Sequence, residues 1–224
     1  LCIVVTLAAY VTMRKLYVRY NHPLLNVVVL SAAIIIVFLL ACGLDYNDYG
    51  PAREVMTFLI GPATVGLAVP LYRYRNLLKQ AAGTIAGSVA AGSFAAMTSA
   101  AFIASLGALP QDVVMSIMPK GVSIPLAVEI AELYGGIPAL AAAFVVATGT
   151  LGSLLGVWSL DIFKIRLPLA RGLALGTVSH AQGTAAALME GELQGAMAGL
   201  AMILAGIFTA LFSPVTAKIL SFLA

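Results

Sequence analysis

Of the 224 residues, 62% are hydrophobic and 9% are charged, against about 45–50% apolar and about 25% charged in soluble chains. Mean hydropathy is +1.05, and 12 basic and 9 acidic side chains are too few to keep a fold of this size dissolved. The composition places the chain in a lipid bilayer. It excludes a soluble enzyme, a disordered segment and, despite the net charge of +3, a nucleic-acid-binding module.

Residues 1–13 end at Arg14-Lys15 with no A-x-A-like cleavage site, so they read as the tail of a first membrane helix, and the start at Leu1 leaves room for residues in front. About 20 apolar residues cross the hydrocarbon. Residues 24–42, rich in Ile, Leu and Val, form a span without interruption. Residues 81–109 follow, built largely from Ala, Gly, Ser and Thr, then 137–160 and 195–212, the last extendable to 220. Three further stretches are apolar but broken: 55–72 by Pro62 and Pro70, 113–130 by Pro119, Lys120 and Pro125, and 172–189 by His180 and Gln182. The fold expected is an all-α polytopic bundle, a single transmembrane domain over 1–224 with broken or re-entrant segments, and an inverted repeat is one arrangement of them. Trp158, Tyr17, Tyr20, Tyr46, Tyr49 and Tyr72 sit near span ends, as an aromatic belt would.

Lys and Arg favour the cytoplasmic side. With Arg14, Lys15 and Arg19 inside, Asp45–Glu54 lies outside and Arg73, Arg75 and Lys79 return inside. If 113–130 dips in and returns, Lys164, Arg166 and Arg171 also fall inside; if it crosses, they fall outside. The charge rule favours the dip. Residues 172–189 remain open between a second dip and a full crossing. Glycines four apart (Gly83/Gly87, Gly152/Gly156, Gly172/Gly176, Gly191/Gly195/Gly199) let helix backbones approach closely in lipid. Packing within the chain is the plainer reading, and homo-oligomer contacts are the alternative.

Breaking a helix at membrane depth frees backbone groups that must face protein or a watery cavity, and half-helix N-termini suit anions. Lys120 stands between Pro119 and Gly121-Val122-Ser123-Ile124-Pro125, flanked by apolar runs. A lysine at the bilayer centre costs about 2.5–3.5 kcal/mol on insertion scales and is a functional candidate by default. Its structural alternative is snorkelling, or pairing with Glu129 or Glu132. Gly176–Thr184 gathers Thr177, Ser179, His180, Gln182 and Thr184 around Gly183: hydroxyls suit a carboxylate and the imidazole a proton. Thr64 is the polar side chain of the Pro62–Pro70 stretch. G-x-S-x-G, H-E-x-x-H, Walker A and Cys/His metal patterns are absent from the sequence, so neither an enzyme, a cofactor nor a metal is expected. Cys2 and Cys42 imply no disulfide framework.

Residues 59–72, 119–127 and 171–185, in this order and with Pro23-Leu24-Leu25-Asn26 near the start, resemble the LrgB/CidB family. That family includes antiholin-like bacterial membrane proteins and the membrane portion of the plastid glycolate/glycerate translocator. The resemblance implies a multi-pass inner-membrane protein working with a small LrgA/CidA-like partner. It also implies links to control of murein hydrolase activity and autolysis, and to transport of small carboxylates such as pyruvate or glycolate. Pro119, Lys120, Val122, Ser123 and Pro125 match one family motif, and Ser179, His180, Gly183 and Thr184 another. Gly121, Ile124 and Ala186 depart from it, the last where the family often has Arg. The expectation is a secondary carrier in which Lys120, Ser123, Ser179, His180, Thr184 and Thr64 bind a monocarboxylate and His180 with Glu129 handles a proton. The alternative is a regulatory protein that restrains a holin-like pore and transports nothing.

Overall fold

In a computed structural model, the described residues are 2–20, 27–66 and 68–221, and their regular structure is helical throughout. Helices satisfy their own backbone groups, as a bilayer requires. The chain divides into two compact units, Leu1–Val69 and Pro70–Ala224.

The first unit holds α1 (Cys2–Tyr20), α2 (Val27–Ala41), a 3-10 turn (Tyr46–Tyr49) and α3 (Gly50–Gly66). Residues 24–26 of the expected span, part of the Pro23–Asn26 motif, lie outside the described residues. The hydroxyls of Thr6 and Tyr49 stand 2.8 Å apart and tie α1 to the turn. Pro62 sits inside α3 and not at a break, which corrects the expectation for that position. A proline removes one helix hydrogen bond and crowds the carbonyl four residues back. Membrane helices tolerate this because local adjustment re-satisfies the freed carbonyl. Pro70 falls in the first turn of α4 (Ala68–Arg73), where its missing N–H has no intrahelical partner in any case.

In the second unit, α5 (Arg75–Leu106), α8 (Pro138–Ile162) and α10 (Glu192–Ser221) are long and apolar enough to cross a membrane. Between them lie α6 (Gln111–Ile117), α7 (Ile124–Leu133) and α9 (Pro168–Glu190). Helices α5 and α10 run parallel. Arg73 Nη1 meets Glu192 Oε1 at 2.9 Å near their starts, and the rings of Phe94 and Phe212 pack edge to face at 5.5 Å in their later halves. Small residues let α10 seat deeply: Ala196, Ala198 and Ala201 are fully buried. Lipid offers no hydrophobic drive between helices, so close packing of small residues supplies the attraction.

Residues 113–130 dip and return. The N–H of Ile137, just after α7, donates at 2.7 Å to Ser116 Oγ near the C-terminal end of α6, so the chain returns to where it left α6. Helix α9 reverses as well. His180 interrupts it at φ 41°, ψ −127°, and Arg171 in its first turn binds Glu190 in its last. Residues 172–189 are therefore a second re-entrant hairpin.

The resulting order is helix, hairpin, helix, hairpin, helix. The α6–α7 hairpin enters from the face where α5 ends, and α9 enters from the opposite face, where α8 ends. Helix plus hairpin thus occurs twice with opposite direction, an inverted repeat completed by α10. Arg73, Arg75, Lys79, Lys164, Arg166 and Arg171 gather at the face from which α9 enters.

Candidate functional site

The two hairpin tips converge beside the middle of α8. In the first, Pro119 cannot donate a backbone hydrogen bond and the chain leaves helical geometry after Met118. Lys120 N–H donates to Ile117 O at 3.1 Å and Val122 N–H to Pro119 O at 3.3 Å. Ser123 is extended (ψ 150°), and Pro125 takes the opening turn of α7, where proline fits best. In the second hairpin, Gly183 is what allows the reversal. A Cβ there would overlap the Leu175 carbonyl and stand 2.7 Å from Ser179 Cβ, so any side chain would force the arms apart.

Helix α8 receives the second tip through glycines. A Cβ at Gly149 would lie 2.5 Å from His180 Cε1, and one at Gly152 would overlap Ser179 Oγ. His180 Nε2 lies 3.1 Å from Val145 O. A carbonyl only accepts, so Nε2 carries the hydrogen and Nδ1 is the nitrogen left to take a second proton. Thr184 Oγ1 donates to His180 O at 2.9 Å, which satisfies a carbonyl at the reversal. Gln182 Oε1, also beside Gly149, is buried and has no hydrogen-bond partner among the described residues.

A cavity of about 640 Å³ lies along α8, between the first arm of α9 and the tip of the α6–α7 hairpin. Lys120, Thr148, Ser159 and Ser179 are its polar side chains, and Phe144, Leu151 and Val178 are among its apolar ones. Among the described residues no carboxylate pairs with Lys120. A half-buried ammonium with no acidic partner, at membrane depth, has a strong electrostatic demand for an anion.

The structure brings Lys120 and Ser179 into one cavity and sets His180 directly behind it. Gly121 approaches the Thr177 carbonyl, 3.7 Å from where its Cβ would be. Ser123 is exposed at the start of α7 and Thr184 is committed to the His180 carbonyl; neither lines the cavity. Glu129 is exposed on α7, with no ion pair to Lys120 or His180 among the described residues. The side chain of Thr64 lies outside the described residues. Thr148 and Ser159 were not singled out in the sequence. The signal available for them was their place on the α8 face that also carries Gly152 and Gly156, at helical spacing.

At the base of α9, Arg171 makes a two-pronged contact with Glu190 (Nε–Oε2 2.8 Å, Nη2–Oε1 2.6 Å). Its Nη1 donates to Asp161 Oδ1 and to Ile165 O, both at 2.8 Å. This network fixes both arms to the end of α8.

Known proteins align with this chain nearly end to end. The LrgB-like family model matches residues 6–219. The chain belongs to the LrgB-like family. It is 33% identical to the antiholin-like protein LrgB of Bacillus subtilis, covering 97% of this chain and 95% of that one. It is 35% identical to YxaC of the same organism (95% and 92% covered). To the holin-like protein CidB of Staphylococcus epidermidis it is 29% identical (96% and 94% covered). No solved structure matches. Two of these relatives, LrgB and CidB, bear the names of an antiholin-like and a holin-like protein. The long apolar helices and the family together make this a membrane protein.

Proposed function

We propose that the chain is a multi-pass inner-membrane subunit of a secondary transport system for small monocarboxylates of the pyruvate or glycolate type. One observation carries the reading: an unpaired lysine lines a cavity where two oppositely inserted hairpin tips converge. Re-entrant segments at an inverted-repeat interface are where secondary carriers hold substrate.

Lys120 receives the carboxylate and the Ser179 hydroxyl donates to it. His180, anchored through Nε2, takes the coupled proton at Nδ1, so that anion and proton move together without net charge. The basic face faces the cytoplasm under the positive-inside rule. A small LrgA/CidA-like membrane protein is the partner, and through it the subunit bears on murein hydrolase control and autolysis.

The names of the LrgB and CidB relatives favour a second reading, in which the chain restrains a holin-like pore and transports nothing. Proteoliposomes with and without the partner separate the two. Uptake of labelled pyruvate or glycolate supports the carrier. If neither preparation moves any small carboxylate, the carrier reading fails.

A further inference from the structure

The cavity beside Lys120 is much larger than a three-carbon acid and is mostly apolar. Its lining runs along one face of α8 from Phe144 to Leu160, 16 residues that span about 24 Å at 1.5 Å each. Lys120, with Phe144 and Thr148, defines the deep end, and Ser159 the end near the basic face. Between them the walls are hydrocarbon, with Ala147, Leu151 and Leu155 from α8 facing Ala174 and Val178 from α9.

Volume narrows the occupant. A six-heavy-atom acid needs less than about 200 Å³, taking about 30 Å³ per heavy atom from the volume of a liquid water. More than 400 of the 640 Å³ is then left to apolar walls. The groove is open along one side, where Leu151, Leu155 and Val178 are 57%, 46% and 42% exposed, and a hydrocarbon chain laid in it would cover apolar wall that is otherwise bare. The charge at the deep end selects a carboxylate head.

We infer that this site takes monocarboxylates bearing an aliphatic tail, seated with the carboxylate at Lys120 and the tail along α8, and that it prefers them to three-carbon acids. The inference rests on the carrier reading and specifies the substrate class of the same site. Ala147 and Ala174 set the width: one is exposed and one half-buried, and both border the tail's path.

The test is a chain-length series. Unlabelled 2-oxo acids of three to eight carbons compete with labelled pyruvate for uptake into proteoliposomes, and the same acids are titrated against purified protein by calorimetry. Affinity is expected to rise about fourfold per methylene, the factor that about 0.8 kcal/mol per buried CH₂ corresponds to. Ala147→Phe and, separately, Ala174→Phe are expected to abolish that rise while pyruvate still binds. Pyruvate uptake with flat or falling affinity along the series overturns the inference and leaves the carrier reading intact. Rising affinity with no uptake of any acid overturns the carrier reading and leaves the binding site. Series that rise equally in wild type and in both folded Phe variants also overturn the inference.

Discussion

Arg171 Nη2 lies 2.6 Å from Glu190 Oε1 although the two residues are 19 positions apart within α9. In one straight helix they would stand about 28 Å apart, so this pair requires the reversal at His180. Arg171 and Glu190 side chains are only 11% and 13% exposed, and removing one partner leaves the other charge largely unsolvated. Arg171→Ala is expected to destabilise the protein by about 3–5 kcal/mol. Arg171→Lys should recover little, because an ammonium lacks the two-pronged fit. Thermal unfolding in detergent reads both; a wild-type melting temperature for Arg171→Ala contradicts the role given to the network.

Gly183 and Gly87 make an internal control. A Cβ at Gly183 would overlap the Leu175 carbonyl, whereas one at Gly87 meets nothing within 4 Å. Gly183→Ala should reduce the yield of folded protein sharply, and Gly87→Ala should leave it unchanged in size-exclusion chromatography. Equal tolerance of both changes is incompatible with arms packed as closely as described.

The inverted repeat fixes sidedness. With Cys2 and Cys42 replaced, single cysteines at Glu132, exposed near the end of α7, and at Lys164, in the α8–α9 turn, should react with an impermeant maleimide from opposite sides of a vesicle. Labelling from one side only would mean that α8 does not cross.

His180 tests the proton's route. His180→Gln keeps a donor for the Val145 carbonyl but offers no nitrogen that titrates near neutral pH. Uptake should therefore persist at fixed pH and lose its response to an imposed pH gradient. An unchanged gradient response removes His180 from the coupling.

The membrane class and the long helices were legible in the sequence, because composition and span length act locally, and the first hairpin was favoured there only by the side on which Lys164, Arg166 and Arg171 had to fall. The second reversal was not. Its window, Gly176–Thr184, was visible, but whether it reversed depended on contacts that sequence spacing does not give, between Gly183 and Leu175 and between Arg171 and Glu190. Pro62 shows the converse: a strong local breaker absorbed by a helix that continues through it. Lys120 and Ser179 could be found because charge and hydroxyls stand out in an apolar run. The α8 wall could not, because Phe144, Ala147 and Leu151 look like any membrane helix until the cavity beside them is seen.

The most direct test of the central claim is the rate of labelled pyruvate uptake by wild type, Lys120→Ala and Lys120→Arg in matched proteoliposomes, each checked for folding by its melting temperature. A charge-assisted hydrogen bond worth about 1.5–3 kcal/mol predicts that Lys120→Ala lowers kcat/KM by about 10- to 150-fold, with partial recovery in Lys120→Arg. Wild-type transport by a folded Lys120→Ala protein would contradict the account.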